Sequence, residues 1–314
     1  MTGPQFIHME LYARKAHAGR GGRGSNSRTV EYVLQEVERS PGHTPHVTAP
    51  LPPQVLHGLD VDELRDRHAR MADAARMKRG TKAVRVRQDQ HTLLTVIASH
   101  PLEWKDPFFD QAACIEWEQA TLAFLQDQFG EQVVSVLRHV DEDRPHLHAY
   151  ILPSDPAMKA MRLHPGYEAK RAVMQGPSTP TQNKAGDRAY KTAMRTWQDE
   201  YYAAVGIPEG LTRIGPKRPR FPREVWRAQK EAALSVASAL REQERADFAV
   251  TVLEQERDSL ECQIAARRGE LAGIEAEIAT MRSTLLELRR RAGQAVNALW
   301  HWVCLLYTSP SPRD

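Results

Sequence analysis

Three histidines and a glutamate fall within one ten-residue stretch, His139-Val140-Asp141-Glu142-Asp143-Arg144-Pro145-His146-Leu147-His148, between two runs that read as β-strands, residues 133–139 and 146–152. Successive side chains on a strand point to opposite faces. His146 and His148 therefore share one face, while Leu147, Ala149 and Ile151 take the other, toward a core. Residues 140–145 are polar and turn-like, with Pro145 setting the exit. A hairpin of this kind returns His139 and Glu142 beside the His146–His148 pair. One histidine on a strand is easily satisfied by a backbone group. Three on adjoining strands repel one another when protonated and are awkward to bury when neutral, so the pattern points to chemistry rather than packing. Imidazoles converging from neighbouring strands, with a carboxylate at hand, make a divalent transition-metal site with an open position.

The pattern His139-x-x-Glu142-x-x-Pro145-His146-x-His148 resembles the signature of the Mob/Pre (MobV-type) family, plasmid mobilisation and recombination relaxases of the His-hydrophobic-His endonuclease superfamily. The spacing, the proline and the apolar residue between the paired histidines all agree. The resemblance implies that His139, His146 and His148 hold a divalent metal, Mn²⁺ or Mg²⁺, with Glu142 as a further ligand or close neighbour. It also implies nicking of one strand of plasmid DNA, presented single-stranded or as a hairpin at an origin of transfer, through a covalent protein–DNA intermediate. Two other readings of the hairpin fail. A histidine-triad nucleotide hydrolase needs a third alternating histidine where this chain has Tyr150, and zinc-finger spacing is absent because there are no paired cysteines.

In the family the attacking residue lies in an early motif in which a histidine precedes Asn-x-Arg. Residues 15–28 resemble that motif, glycines included: Asn26 and Arg28 agree, and Ser25 stands at the nucleophile position. Serine without a base is a weak phosphoryl acceptor. Tyr12, His17 and Tyr32 are close in sequence and stand beside Ser25 as candidates. Arg28 suits a phosphate clamp, since a guanidinium engages two oxygens at once.

Formal net charge is only +3, but the basic residues are bunched. Arg14, Lys15, Arg20, Arg23 and Arg28 form one run, and Arg76, Lys78, Arg79, Lys82, Arg85 and Arg87 a second. Arg213, Lys217, Arg218, Arg220, Arg223, Arg227 and Lys230 form a third. A single basic run is usually a solvated face. Three runs around a metal hairpin point instead to a phosphate-binding groove, with Arg20, Arg23, Asn26, Arg85, Arg87, Lys217 and Arg218 contacting DNA. Cys114, Cys262 and Cys304 offer no disulfide framework and suit a reducing compartment. No run is long enough for a membrane span and no signal pattern opens the chain, so a cytoplasmic location is expected.

Along the chain, residues 6–13 alternate as a first strand. Residues 29–39 read as a helix with Val30, Val33, Leu34 and Val37 on one face, 43–53 as an ordered loop and 60–79 as a charged helix. Residues 81–87 and 92–99 read as strands, and 110–129 as an amphipathic helix with Trp117, Leu122, Phe124 and Leu125 inward. Residues 176–188 read as a loop and 189–205 as a helix bearing Tyr190, Trp197, Tyr201 and Tyr202. This order predicts an α+β domain, an antiparallel sheet with helices on one face, which the resemblance also implies.

From Trp226 glycine and proline almost vanish. Val250, Leu253, Leu260, Ile264, Leu271, Ile274, Ile278, Met281, Leu285 and Leu288 fill heptad positions a and d, with Arg257 and Arg267 interrupting. That predicts a long C-terminal coiled coil which pairs two protomers as a homodimer or recruits a partner. The expected organisation is a relaxase-like DNA-nicking domain over 1–225 and a helical extension over 226–303. Residues 304–314 can be encoded by a common transposase-based sequencing adapter read in frame, and are set aside from fold reasoning.

These readings predict a metal-dependent single-strand DNA endonuclease, a relaxase of conjugation and plasmid recombination. Two alternatives fit parts of the chain. One is a non-catalytic DNA-binding protein on a degenerate relaxase scaffold, to which Ser25 points. The other is a metal-dependent phosphoesterase acting on small nucleotides.

Overall fold

Alternating apolar residues draw most of the strands into one sheet. The computed structural model describes residues 3–16, 29–45, 47–176, 178–215 and 223–308. In chain order the elements are β1 (Phe6–Ala13), α1 (Val30–Val37), β2 (Gln54–Gly58), α2 (Val61–Ala74), β3 (Arg76–Arg79), β4 (Lys82–Arg85) and β5 (His91–Ser99). There follow α3 (Gln111–Phe129), β6 (Val133–His139), β7 (His146–Ile151), α4 (Pro165–Val173), α5 (Pro180–Tyr201) and α6 (Arg223–Thr308). The main sheet is five-stranded, in the order β1-β5-β7-β6-β2, and every neighbouring pair is antiparallel.

The register aligns Ile7, Ala98 and Leu147 in one row, on the face that carries the larger core. There Trp117, Phe124 and Leu125 of α3 meet Trp197 and Tyr201 of α5. Trp117 Nε1 donates to the Tyr201 hydroxyl at 3.1 Å, so its buried polar atom is satisfied. On the opposite face Tyr12, Leu93, Leu137 and Tyr150 pack with Val30, Val33, Leu34 and Val37 of α1 and with Leu64 and Ala72 of α2. The expected antiparallel sheet, helices and long C-terminal helix are all present. Helices cover both faces, however, beyond the one-face arrangement read from the sequence. The central strand β5 is apolar on both sides, with Leu93 and Leu94 both fully buried, and such a strand needs two covers.

Three local readings are corrected. The charged helix expected over 60–79 ends at Ala74, and Ala75 turns extended (φ −61°, ψ 132°). Arg76–Arg79 then pairs with Lys82–Arg85 as a separate basic hairpin, Arg76 opposite Arg85. Arginine, methionine and lysine are good helix formers, and cross-strand pairing overrides that weak preference. The loop expected over 176–188 is largely helix. The Thr179 side chain accepts from the Gln182 N–H and Pro180 occupies the first turn, both standard start signals. Finally, β2 adds an edge strand that the loop reading of 43–53 stopped short of.

The chain divides into two compact units, Met1–Glu242 and Gln243–Asp314. Within the second, Val250, Leu253, Leu260, Ile264, Leu271 and Ile274 are all exposed. A helix that exposes such an apolar seam to water, interrupted only at Arg257 and Arg267, lacks the partner surface that the seam needs. No helix among the described residues is long and apolar enough to cross a membrane. A chain ending at Glu242 is expected to stay folded and monomeric while the full chain sediments as a dimer. Leu260→Glu with Ile264→Glu should return the full chain to a monomer. Equal mass per particle for all three in sedimentation equilibrium would refute pairing through the seam.

Candidate metal centre

The β6–β7 register sets His139 directly opposite His146. His148 lies opposite Leu137 on one side and Ile97 on the other. Opposed residues of an antiparallel pair share a face, so the three imidazoles stand together on the α1 side of the sheet. Their ring centroids are 5.2 Å apart for His139–His146, 5.0 Å for His139–His148 and 5.1 Å for His146–His148. His139 and His146 are buried. His146 and His148 line an open cavity of about 730 Å³ together with Glu36, Ser99, Asp141 and Glu142.

The turn between the strands supplies carboxylates. Glu142 Oε1 lies 3.5 Å from His146 Nε2, and Asp141 Oδ1 lies 3.5 Å from His139 Nδ1, an ion-pair distance rather than a completed hydrogen bond. Both acids are held from behind by Arg39. Its Nε donates to Asp141 Oδ2 at 2.8 Å, and its Nη2 to Asp141 Oδ1 at 2.7 Å and Glu142 Oε1 at 3.0 Å. Asp141 Oδ2 also accepts the Leu51 N–H at 3.0 Å.

Hydrogen bonding sets one tautomer. His146 Nδ1 lies 3.1 Å from the Arg144 carbonyl, which can only accept. That nitrogen therefore carries a proton, which makes Nε2 the lone-pair nitrogen of the neutral ring. Both ring nitrogens of His139 are buried and have no hydrogen-bond partner. A buried polar atom left in this way is costly until something binds it.

The electrostatics favour neutral imidazoles. Burial, then the charges of Arg39 and His146, push the His139 pKa down to about 3. Burial and the two neighbouring histidines hold His148 well below its ordinary value. Burial would raise the Asp141 carboxyl, but the bonds from Arg39 and Leu51 outweigh it and keep that group below the usual range. Among the described residues, the cavity is lined by four acids, Glu36, Asp141, Glu142 and Asp143, against one guanidinium, Arg144. Neutral imidazoles, ionised carboxylates and an orphaned buried nitrogen are the donor set that a divalent cation takes. Among the described residues, no group of three or more His, Cys, Asp or Glu side chains is arranged so that it could hold a metal ion as it stands.

Of the other residues expected at the site, His17, Arg20, Arg23, Ser25, Asn26, Arg28, Lys217 and Arg218 lie outside the described residues. Tyr12 is buried, and its hydroxyl donates to Glu10 Oε2 at 2.8 Å. It sits opposite Leu93, whereas His148 sits opposite Ile97. That places it about 13 Å along the strands and about 10 Å across them from His148, and further from His139 and His146. Burial and the Glu10 charge raise its pKa, so the phenolate is disfavoured. Arg85 is exposed on β4, and Arg87 is exposed and paired with Asp89. Sequence reasoning missed Arg39 and Asp141. Asp141 lies inside the motif and could have been found there, whereas Arg39 is 102 residues away and carries no local signal.

No protein-family model matches the chain, and no curated protein matches it. Among solved structures it is similar to the MobM relaxase domain (MOBV; Mob_Pre) bound to 26-nucleotide pMV158 oriT DNA. The identity is 11% and the TM-score 0.32, over 57% of this chain and 98% of that one. It is also similar to the Mn-bound domain with 22-nucleotide oriT DNA carrying a 3′-thiophosphate, at pH 6.8, with 14% identity and TM-score 0.31 over 57% and 98%. At these values the assignment of the site rests on its own residues.

A pH dependence follows. Folded His139 stays neutral down to about pH 3, whereas an unfolded histidine takes up its proton near pH ~6.5. Between those values the unfolded chain binds more protons. The contribution to stability is therefore complete above about pH 6.5 and is lost as pH falls toward 3. The metal-free protein should melt at progressively lower temperature through this window, and His139→Gln should make the decline shallower. It will not abolish the decline, because His68, His100 and His164 are each held near a pKa of about 4 and act with the same sign. An identical profile in wild type and His139→Gln would show that His139 is not a neutral buried imidazole.

Proposed function

We propose that this chain is a divalent-metal-dependent relaxase that nicks one strand of plasmid DNA and stays joined to the cut end. The observation that carries this reading is the β6–β7 register. It brings His139, His146 and His148 to one sheet face, with Glu142 3.5 Å from His146, beside an open cavity. Those residues also have the Mob/Pre spacing, Pro145 included.

His139, His146 and His148 would hold the ion, and Glu142 would add an oxygen donor. When bound, a divalent ion polarises the phosphate oxygens and stabilises the charge that develops as the strand is cut. The protein's own charges create that requirement. With acids outnumbering bases among its described lining residues, the cavity disfavours a phosphodiester until a cation is present. His139 and His148, held neutral by burial, keep a lone pair free at ordinary pH. The attacking group bonds to phosphorus, and the leaving sugar oxygen takes the electron pair and then a proton, so the phosphodiester energy is kept in a protein–DNA bond. The Tyr12 hydroxyl is engaged by Glu10 away from the histidine row, which leaves Ser25 and His17 as the candidates for the attacking group.

The β3–β4 hairpin supplies a basic ribbon. Lys78, Arg79, Lys82 and Arg85 are all exposed on it. A two-stranded ribbon fits a DNA groove, and its cations suit backbone phosphates.

Incubation with Mn²⁺ and a labelled single-stranded oligonucleotide carrying the plasmid's inverted repeat should yield a denaturant-resistant adduct. Mn²⁺ should also raise the melting temperature, as linkage requires. His146→Ala should abolish both effects. Bound metal and bound DNA with no adduct would point instead to a non-catalytic DNA-binding protein.

DNA affinity should fall steeply with salt, as released counterions dictate. Arg85→Ala should reduce the log–log salt slope by about one. Arg87→Ala should change it less, because that guanidinium already has Asp89 as its partner. Salt-independent affinity would leave the ribbon as a solvated face.

A further inference from the structure

Arg39 has a backbone that its residue type disfavours. Its φ is +65°, in the left-handed region where a side chain crowds the chain. It lies just past the end of α1, where the Ser40 N–H donates to the Gln35 carbonyl at 2.9 Å and the Arg39 N–H to the Glu36 carbonyl at 3.2 Å. Those two bonds are the helix-ending motif in which glycine is the usual left-handed residue. Glycine here would make the same turn without the strain. The side chain accounts for the arginine. It is 4% exposed, and its guanidinium makes three bonds to Asp141 and Glu142, from 102 and 103 residues away.

We propose that Arg39 is a positioning residue: from the left-handed turn that ends α1, it clamps Asp141 and Glu142 and so sets the tautomer of His139 and holds a carboxylate oxygen beside His146 Nε2. Asp141 has both oxygens engaged, and Oδ1 is held beside His139 Nδ1. A carboxylate fixed there favours the tautomer with the proton on Nδ1, which leaves Nε2 as the donor. Neither ring nitrogen of His139 has a hydrogen-bond partner, and Nδ1 has only the 3.5 Å contact with Asp141. On the other side, Arg39 holds Glu142 Oε1 3.5 Å from His146 Nε2, while His146 Nδ1 donates to the Arg144 carbonyl, so the carboxylate and that ring edge are presented side by side. One buried cation thus orients a carboxylate against each of two imidazoles. Groups of this kind behind a metal ligand set its ring orientation, and their loss typically weakens metal binding by about 10–100-fold. The inference rests on the proposed metal site, but it concerns a residue that touches neither ion nor DNA.

Two variants separate side chain from backbone. Arg39→Gly keeps the turn and removes the guanidinium; Arg39→Lys keeps a charge and loses the fork that grips two oxygens. Since Arg39→Gly leaves Asp141 buried without its cation, the pair Arg39→Gly with Asp141→Asn is the control that keeps the fold. Two measurements apply to each: the histidine tautomers of the metal-free protein by long-range ¹H–¹⁵N NMR, and the Mn²⁺ dissociation constant by titration. Wild type should show His139 protonated on Nδ1, and the variants a mixture of tautomers, with Mn²⁺ bound about 10–100-fold more weakly at an unchanged fold. Wild-type tautomers and wild-type Mn²⁺ affinity in Arg39→Lys and in the double variant would overturn the role given to Arg39. A wild-type protein that binds no Mn²⁺ would overturn the metal site itself, and the tautomers would still decide the part played by Arg39.

Discussion

Everything at the site depends on one register. A slip of a single residue between β6 and β7 would send His146 and His148 to the Trp117 side of the sheet and Leu147 and Ala149 to the other. The register is pinned from both sides of the pair. Leu147, Ala149 and Ile151 are fully buried in the larger core, and Leu137 and Tyr150 are fully buried under α1 and α2. Moving any of them to the opposite face would exchange apolar side chains for imidazoles in a packed interior. Unpaired polar groups buried in this way cost about 1–3 kcal/mol each. The chemistry is therefore held in place by packing that takes no part in it.

The strand pair was legible because its signals are local. Alternation, a proline and a polar turn lie within about twenty residues, and the face assigned to Leu147, Ala149 and Ile151 is the one observed. The helix face of Val30, Val33, Leu34 and Val37 was readable for the same reason, and all four are buried. Residues 76–79 were not, because Arg-Met-Lys-Arg favours helix locally and only pairing with β4 makes it a strand. Arg39 was illegible on two counts. Its partners are more than a hundred residues away, and a charged residue in a helix-ending turn reads as surface.

The buried ion pair also explains why α1 matters to the site. Arg39 is 4% exposed and Asp141 0% at the side chain, so neither is screened by water. Breaking such a pair by removing one partner typically costs about 3–5 kcal/mol, because the other charge is stranded. The four valines and leucines of α1 anchor the helix on the sheet, and its end then delivers the guanidinium. A chain segment with no metal-binding chemistry of its own thus becomes a structural condition for the histidines to present the right nitrogens.

The acid-lined cavity has a consequence for the order of events. On the proposed reading, its charge admits a cation readily and a phosphodiester poorly, and an occupied site reverses the second preference. Ion and DNA are then heterotropic ligands with positive cooperativity. Such coupling is reciprocal: the factor by which the ion tightens DNA is the factor by which DNA tightens the ion. A protein still gripping its cut strand would keep its ion at concentrations where the free protein gives it up. Resealing would then stay possible after conditions have ceased to support a new cut.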